Sequence, residues 1–167
     1  MNPIVRPLVR EEAGAYVALR REMLEDSPFA FLASPDDDFA SDVDAVRANL
    51  ASGPDRVTFG AFGPGLIGVA GVIRERHAKT SHKANLWGVY VTPAARGRGV
   101  GRRLIDAALA HARTLPGLMQ VTLSVSDRTP AARRLYESAG FRVWGTEPRA
   151  LRFDGSGADE HHMVLFL

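Results

Sequence analysis

The sequence predicts a single mixed α/β domain, of the α+β kind, with about four helices. Three observations predict it. The 167 residues suit one compact domain and can bury most of its apolar surface in one core. The chain is 46% hydrophobic and 24% charged, the balance of a soluble globular protein. Its helical and strand patterns follow the order β-α-α-β-β-β-α-β-α-β-β, which is not a regular βαβ repeat. One domain over residues 1–167 is therefore expected, without internal repeat, low-complexity tract or long linker.

The elements follow in order. Ile4–Val9 is β-prone, and Glu11–Glu25 has Ala13, Val17, Arg20 and Leu24 near helical spacing. Ser27–Asp38 is a loop broken by two prolines. Ser41 is expected to cap a helix running to about Ser52, with acids in its first turn, and Gly53-Pro54 ends it. Val57–Phe62 and Leu66–Arg76 read as strands around a Gly-Pro-Gly hairpin turn. Leu86–Thr92 is a strand closed by Pro93. A helix then runs to about Thr114, with Val100, Leu104, Ile105, Ala108, Leu109 and Ala112 on its buried face. Leu118–Ser126 alternates as a strand. Pro130–Ala139 is a helix with proline in its first turn and Gly140 at its end. Phe141–Trp144 and Met163–Leu167 are the last strands, separated by a turn at Asp154-Gly155-Ser156-Gly157.

Bulk chemistry excludes several classes. There is no cysteine, so disulfides, thiolate metal sites and a cysteine acyl-enzyme are ruled out. His161 and His162 are adjacent on a strand and point to opposite faces; His77 and His82 lack a ligand pattern, so no metal is expected. The formal charge of +2 gives no footprint for nucleic acid. The N-terminal MNPIVRPLVREE lacks the apolar core of a signal peptide, and no apolar run approaches a membrane span. A cytoplasmic protein is expected, without membrane or nucleic-acid partners.

The stretch Ala95–Arg103, ARGRGVGRR, follows a strand and opens a helix. Helix N-termini carry unpaired N–H groups and partial positive charge, and glycines let a ligand approach the backbone. Arg96, Arg98, Arg102 and Arg103 add charge. The stretch lacks the Gly-Lys-Ser/Thr end of a triphosphate loop. Its glycines, Gly97, Gly99 and Gly101, are not spaced as a dinucleotide fingerprint. A phosphate cradle and a plain glycine turn with solvated arginines both remain open on these residues alone.

Read as Arg96-x-x-Gly99-x-Gly101, the stretch resembles the R/Q-x-x-G-x-G/A signature of the GCN5-related N-acetyltransferase (GNAT) superfamily. Two neighbours strengthen the resemblance. LWGVYVTP, Leu86–Pro93, precedes it where the family has its fourth strand. TPAARRLYESAGF, Thr129–Phe141, is similar to the family's N-x-x-A-x-x-L-Y-E-x-x-G-F segment through Ala132, Leu135, Tyr136, Glu137, Gly140 and Phe141. Thr129 departs from it, standing where asparagine is commoner, which puts one hydrogen bond to the cofactor arm in question. The resemblance covers Leu86 to Phe141.

It implies a mixed, mostly antiparallel sheet whose fourth and fifth strands splay, with acetyl-CoA as cosubstrate. The pantetheine arm would lie in the gap against Val89, Tyr90 and Val91. The pyrophosphate would sit on Arg96, Gly97, Arg98, Gly99, Val100, Gly101 and Arg102, with Thr129 and Ala132 opposite. Tyr136 resembles the family's acid that protonates the departing thiolate; read without the resemblance, it is a core residue one turn beyond Ala132. A phenol near pKa 10 facing a thiol near 8.5 makes the transfer sensible. The tetrahedral oxyanion needs donors, and a backbone N–H near Val89 would serve.

The implied reaction is direct acetyl transfer to a primary amine, first that of a small molecule. Alternatives are a protein N-terminus or lysine, or a non-catalytic acyl-CoA-binding module. No acid occupies Lys83-Ala84-Asn85, where some members carry a glutamate; Glu25, Glu75, His82 and Asp127 are the other general-base candidates, each also readable as a surface group. Phe29 and Phe31 stand where an acceptor pocket or core packing is expected. The family often forms homodimers, though nothing in the sequence demands one.

Overall fold

The computed structural model describes residues 3–50 and 52–167. Met1, Asn2 and Ala51 lie outside the described residues, and the expected second helix ran through Ala51. The strands are β1 (Ile4–Pro7), β2 (Arg56–Phe62), β3 (Leu66–Arg74), β4 (Lys83–Val91), β5 (Gln120–Ser126), β6 (Arg142–Phe153) and β7 (Ser156–Phe166). The helices are α1 (Ala13–Asp26), α2 (Val43–Asn49), α3 (Val100–Thr114) and α4 (Pro130–Ser138). The strands form one sheet in the order β1-β2-β3-β4-β5-β7-β6. Only β4 and β5 run parallel; all other neighbours are antiparallel.

The sheet separates two apolar layers. On one face, α3 buries the expected stripe of Val100, Leu104, Ile105, Ala108, Leu109 and Ala112 against Val121, Phe141 and Met163. On the other face, Tyr16, Met23 and Leu24 of α1 and Val46 of α2 pack on Val69 and Tyr90. Spacing in α3 and α1 keeps each stripe on one side of its helix.

Several boundaries differ from the sequence expectation. The first helix begins at Ala13, because Arg10–Glu12 form a 3₁₀ turn in which the Glu12 carboxylate accepts from the Val9 amide at 2.9 Å. The cap of α2 is Asp42 rather than Ser41. Ser41 is spent in a preceding 3₁₀ turn, and the Asp42 carboxylate accepts from the Asp44 amide at 2.9 Å. β4 starts at Lys83, since Lys83–Asn85 pair with β5. β6 and β7 are far longer than Phe141–Trp144 and Met163–Leu167. Their polar outer portions carry no apolar alternation, and register shifts between Val143 and Gly145 and between Glu147 and Leu151 break the period. The turn between them falls at Asp154-Gly155, both at positive φ as a tight hairpin demands.

Arg20, expected on the inner face of the first helix, is a buried cation. Its Nε and Nη2 each donate to a carboxylate oxygen of Asp38 at 2.9 Å. The pair pins the end of the Ser27–Asp38 loop to α1. No described helix is long and apolar enough to cross a membrane.

The Asp38 carboxylate takes two charge-assisted hydrogen bonds from the buried Arg20 guanidinium, and losing such a partner in the interior is costly. Asp38→Ala should therefore destabilise the fold by about 3 kcal/mol, read as a lower urea midpoint. An unchanged midpoint would mean the pair contributes nothing net.

Candidate active site

Parallel pairing of β4 with β5 stops after Asn85 and Thr122. Beyond them the strands diverge, while β4 stays hydrogen-bonded to β3. Gly88, at φ +60°, takes up a bulge in that ladder between the Gly71–Trp87 and Val69–Tyr90 pairs. The Thr92 amide donates back to Ile67 on β3, so alternation turns the backbone groups of Val91 to the open edge. There the Val91 carbonyl accepts from Arg96 Nε at 2.9 Å.

The divergence opens a cleft of about 630 Å³. Its first wall is Val89, Tyr90 and Val91 of β4. Its end wall is the turn into α3: Arg96, Gly97, Gly99, Val100, Gly101 and Arg102. Its other side is α4, through Thr129, Ala132, Leu135 and Tyr136. Arg98 alone among the expected site residues does not line the cleft; it is exposed on the outer side of the turn.

The backbone of the turn is open. Gly97 and Gly99 have φ of +73° and +74°, a region other residues rarely enter, and no atom lies near the place a Cβ would take. Among the described residues, the amides from Gly97 to Arg102 donate to no protein acceptor; the first helical bond is Arg103 to the Gly99 carbonyl. These N–H groups and the positive end of the α3 dipole face the cleft. At Gly101 a Cβ would stand 3.0 Å from Leu135 Cδ2, a tight contact that the Leu135 side chain would have to relieve.

The arginines are tethered. Arg96 pairs with Asp26 at the end of α1 and lies over the Tyr90 ring. Its hydrogen bond holds the Asp26 carboxyl below the usual carboxylate range. The Tyr90 hydroxyl donates to Glu22 at 3.0 Å, and burial followed by that carboxylate pushes its pKa up. Arg102 bonds Asp106 and the Ser138 carbonyl. Thr129 donates its hydroxyl to the Ser126 carbonyl at 2.9 Å, so the hydroxyl is already committed to the turn before α4.

Tyr136 is buried, with its ring edge-on to Phe141. Among the described residues its hydroxyl has no hydrogen-bond partner, and burial pushes the phenol pKa well up, so the group is neutral and carries its proton. Beyond it the cleft narrows into a chamber of about 60 Å³, bounded by Phe31, Trp87, Gly88, Ser124, Ser126 and Tyr136. Phe29 of the α1–α2 loop meets Phe153 at the tip of the β6–β7 hairpin, ring centroids 5.8 Å apart, and neither ring lines the chamber.

None of Glu25, Glu75, His82 and Asp127 lines the cleft or the chamber. Glu25 pairs with Arg21, Glu75 lines a separate surface cavity, and Asp127 accepts from the Asp159 amide. Ser124 was not singled out from the sequence: it stands on a strand with no motif, and only the pairing of β5 with β7 gives it a neighbour. Among the described residues no group of three or more His, Asp or Glu side chains is placed to hold a metal ion.

A sheet split between its parallel strands, with a glycine turn at the head of the following helix, is the architecture of an acyl-CoA-dependent transferase fold. The chain belongs to the acetyltransferase (GNAT) family, whose model matches residues 16–141. It is 37% identical over 120 residues to the N-alpha-acetyltransferase RimI of Mycobacterium tuberculosis, covering 71% of each chain. It is 54% identical over 56 residues to a mycothiol acetyltransferase of Thermobispora bispora, which is 34% of this chain and 19% of that protein. The chain thus spans about a fifth of the length of that relative. A Salmonella typhimurium protein solved with its cofactor acetyl-CoA shares the fold at a TM-score of 0.84 and 23% identity, over 100% of this chain and 95% of that one.

An acid placed at the glycine turn would oppose any bound phosphate. Gly101→Asp should weaken coenzyme A binding about tenfold or more, by like charge at a helix N-terminus and by the missing room beside Leu135. Isothermal titration with coenzyme A measures it, and unchanged affinity would move the phosphate site elsewhere.

Proposed function

We propose that residues 1–167 act as one N-acetyltransferase domain that transfers an acetyl group from acetyl-CoA directly to a primary amine. The observation that carries the reading is the row of unpaired amides from Gly97 to Arg102 at one end of a cleft whose other end holds the buried Tyr136 hydroxyl. The residues fit coenzyme A. Free amides at a helix N-terminus match a pyrophosphate, and a narrow apolar cleft with an open strand edge matches a pantetheine arm. Acetyl-CoA, when bound, supplies an acetyl group activated as a thioester.

The chain's own residues would do the following. Gly97, Gly99, Val100, Gly101 and Arg102 present N–H groups to the pyrophosphate, with Arg96 beside them and Arg98 adding attraction from outside the cleft. Val89 and Val91 offer backbone groups along the open edge of β4, with Tyr90 between them turned into the α1 layer. Ala132 keeps the α4 side smooth, and Thr129 offers only the acceptor capacity of its committed hydroxyl. An N–H near Val89 would face the developing negative charge. Tyr136 holds a proton at its Oη where the residue lines both cleft and chamber, ready to donate to a leaving sulfur.

A small-molecule amine is the first reading of the acceptor. The chamber, about 60 Å³, admits only the tip of a ligand. A protein N-terminus is the second reading, supported by the identity to the RimI protein over 71% of both chains. Release of coenzyme A with a panel of small amines, against peptides with a free N-terminus, separates them.

Melting in parallel with acetyl-CoA, NAD and ATP tests the cofactor without knowledge of the acceptor. Acetyl-CoA at about 100 times its Kd should add roughly 2.7 kcal/mol, with no shift from the other two. Tyr136→Phe should lower kcat on the order of 10²-fold while sparing acetyl-CoA affinity. A variant as fast as the parent removes Tyr136 from the acid role.

A further inference from the structure

An amine at neutral pH is mostly protonated and must lose that proton before it can attack. None of the acids singled out from the sequence lies at the chamber, yet one side chain there is connected to a titratable group. The Ser124 hydroxyl lines the chamber together with Tyr136. Its Oγ is 2.8 Å from Nδ1 of His162. Nε2 of the same ring is 3.4 Å from Oε2 of Glu147. The three groups come from three neighbouring strands: Ser124 on β5 faces His162 on β7, and Glu147 on β6 is paired with Glu160, two residues before His162. Leu123 and Met163, the next residues along β5 and β7, are in the α3–α4 core. Alternation therefore puts Ser124 and His162 on the other face of the sheet. Trp144, at the bulge in β6, stacks on the His162 ring with centroids 5.5 Å apart and planes 28° from parallel, which holds the imidazole in orientation.

We propose that His162 takes up the proton lost by the acceptor's ammonium group, with the Ser124 hydroxyl carrying it between chamber and ring. This rests on the acetyltransferase reading above. The Glu147 carboxylate lies at ion-pair distance from Nε2, and a hydrogen on Nε2 would leave the Nδ1 lone pair to accept from Ser124. In the step, the ammonium N–H bond breaks and its proton goes to Ser124 Oγ. The original Ser124 proton passes to Nδ1. The amine becomes neutral with its lone pair free, and the ring becomes an imidazolium paired with Glu147. The charged groups facing the ring are Glu147 from β6 and Glu160 from its own strand, with Ser124 from β5 and Trp144 from β6 completing the surround. Glu160 holds its proton to higher pH than usual, through burial first and the charge of Glu147 as well, while the His162 cation draws it back down. The Glu147 side of the ring is exposed, so the proton can leave to water between turnovers. Ser124 touches the acceptor; His162 acts through it and is a positioning and proton-holding group.

An imidazole relay suits an α-amine, whose pKa is about 8, better than an alkylamine near 10.4. Alanine amide and butylamine are therefore the paired probes. In the parent, acetyl-CoA with alanine amide should release coenzyme A faster than with butylamine. His162→Gln and Ser124→Ala should each lower kcat/KM for alanine amide on the order of 10²-fold near pH 7. The deficit should close as pH rises past about 9, where the free amine is supplied by solution itself. His161→Gln, on the opposite face, should leave that profile unchanged. Independently of any acceptor, nitrogen NMR of the histidine rings at high pH should find His162 protonated on Nε2. A deficit equal at every pH, or a His162 ring protonated on Nδ1, overturns the relay while leaving the transferase reading standing. A parent that releases no coenzyme A with these probes or with a wider panel of small and peptide amines fails that reading, and the relay falls with it.

Discussion

Hydrogen bonding between β4 and β5 ends at Asn85, and the cleft exists because it ends there. The pairing is anchored at its base by side chains as well as backbone: Asn85 donates to the Thr122 carbonyl, and the Thr122 hydroxyl donates to the Ala84 carbonyl, both at 3.3 Å. Past that anchor the twist carries the two strands apart. Each must then find other partners. β4 keeps β3 by bulging at Gly88, and β5 keeps β7 along its whole length. Beyond Asn85 and Thr122 the facing edges of β4 and β5 no longer pair with each other, and half-buried backbone of that kind needs other partners.

The charges around the cleft tie its first wall together. Arg96 donates from Nε to the Val91 carbonyl on this edge, while Asp26 and the Tyr90 ring hold the rest of its guanidinium. Tyr90 is held in turn by Glu22. The end of α1 is thereby coupled to the glycine turn, and the Ser27–Asp38 loop that follows α1 is pinned at its far end by the buried Arg20–Asp38 pair. One loop thus borders the chamber from a fixed start and a fixed finish.

Two kinds of proton chemistry flank the chamber. On the α4 side stands a phenol in apolar surroundings, which resists ionisation. On the β5–β7 side stands a hydroxyl in contact with an imidazole and, through it, a carboxylate. Placed apart, these environments can serve opposite proton demands without neutralising each other.

The sequence by itself determined a good deal. The stripe of α3, the glycine turn before it, the helix of Tyr136 and the mixed element order were legible because each depends on residues near one another in the chain. Local periodicity and backbone conformation are written at short range. Every expected site residue except Arg98 borders the cleft, and Arg98 is exposed between the two positive-φ glycines. What only the tertiary structure decided lies where long-range pairing overrides local pattern. The length of β6 and β7 comes from their ladder rather than from any alternation of apolar residues. Arg20 is buried because Asp38, eighteen residues on, arrives to pair with it. Ser124, His162 and Glu147 meet because three strands with no common motif lie side by side, and a contact made across strands leaves no spacing for a sequence to display.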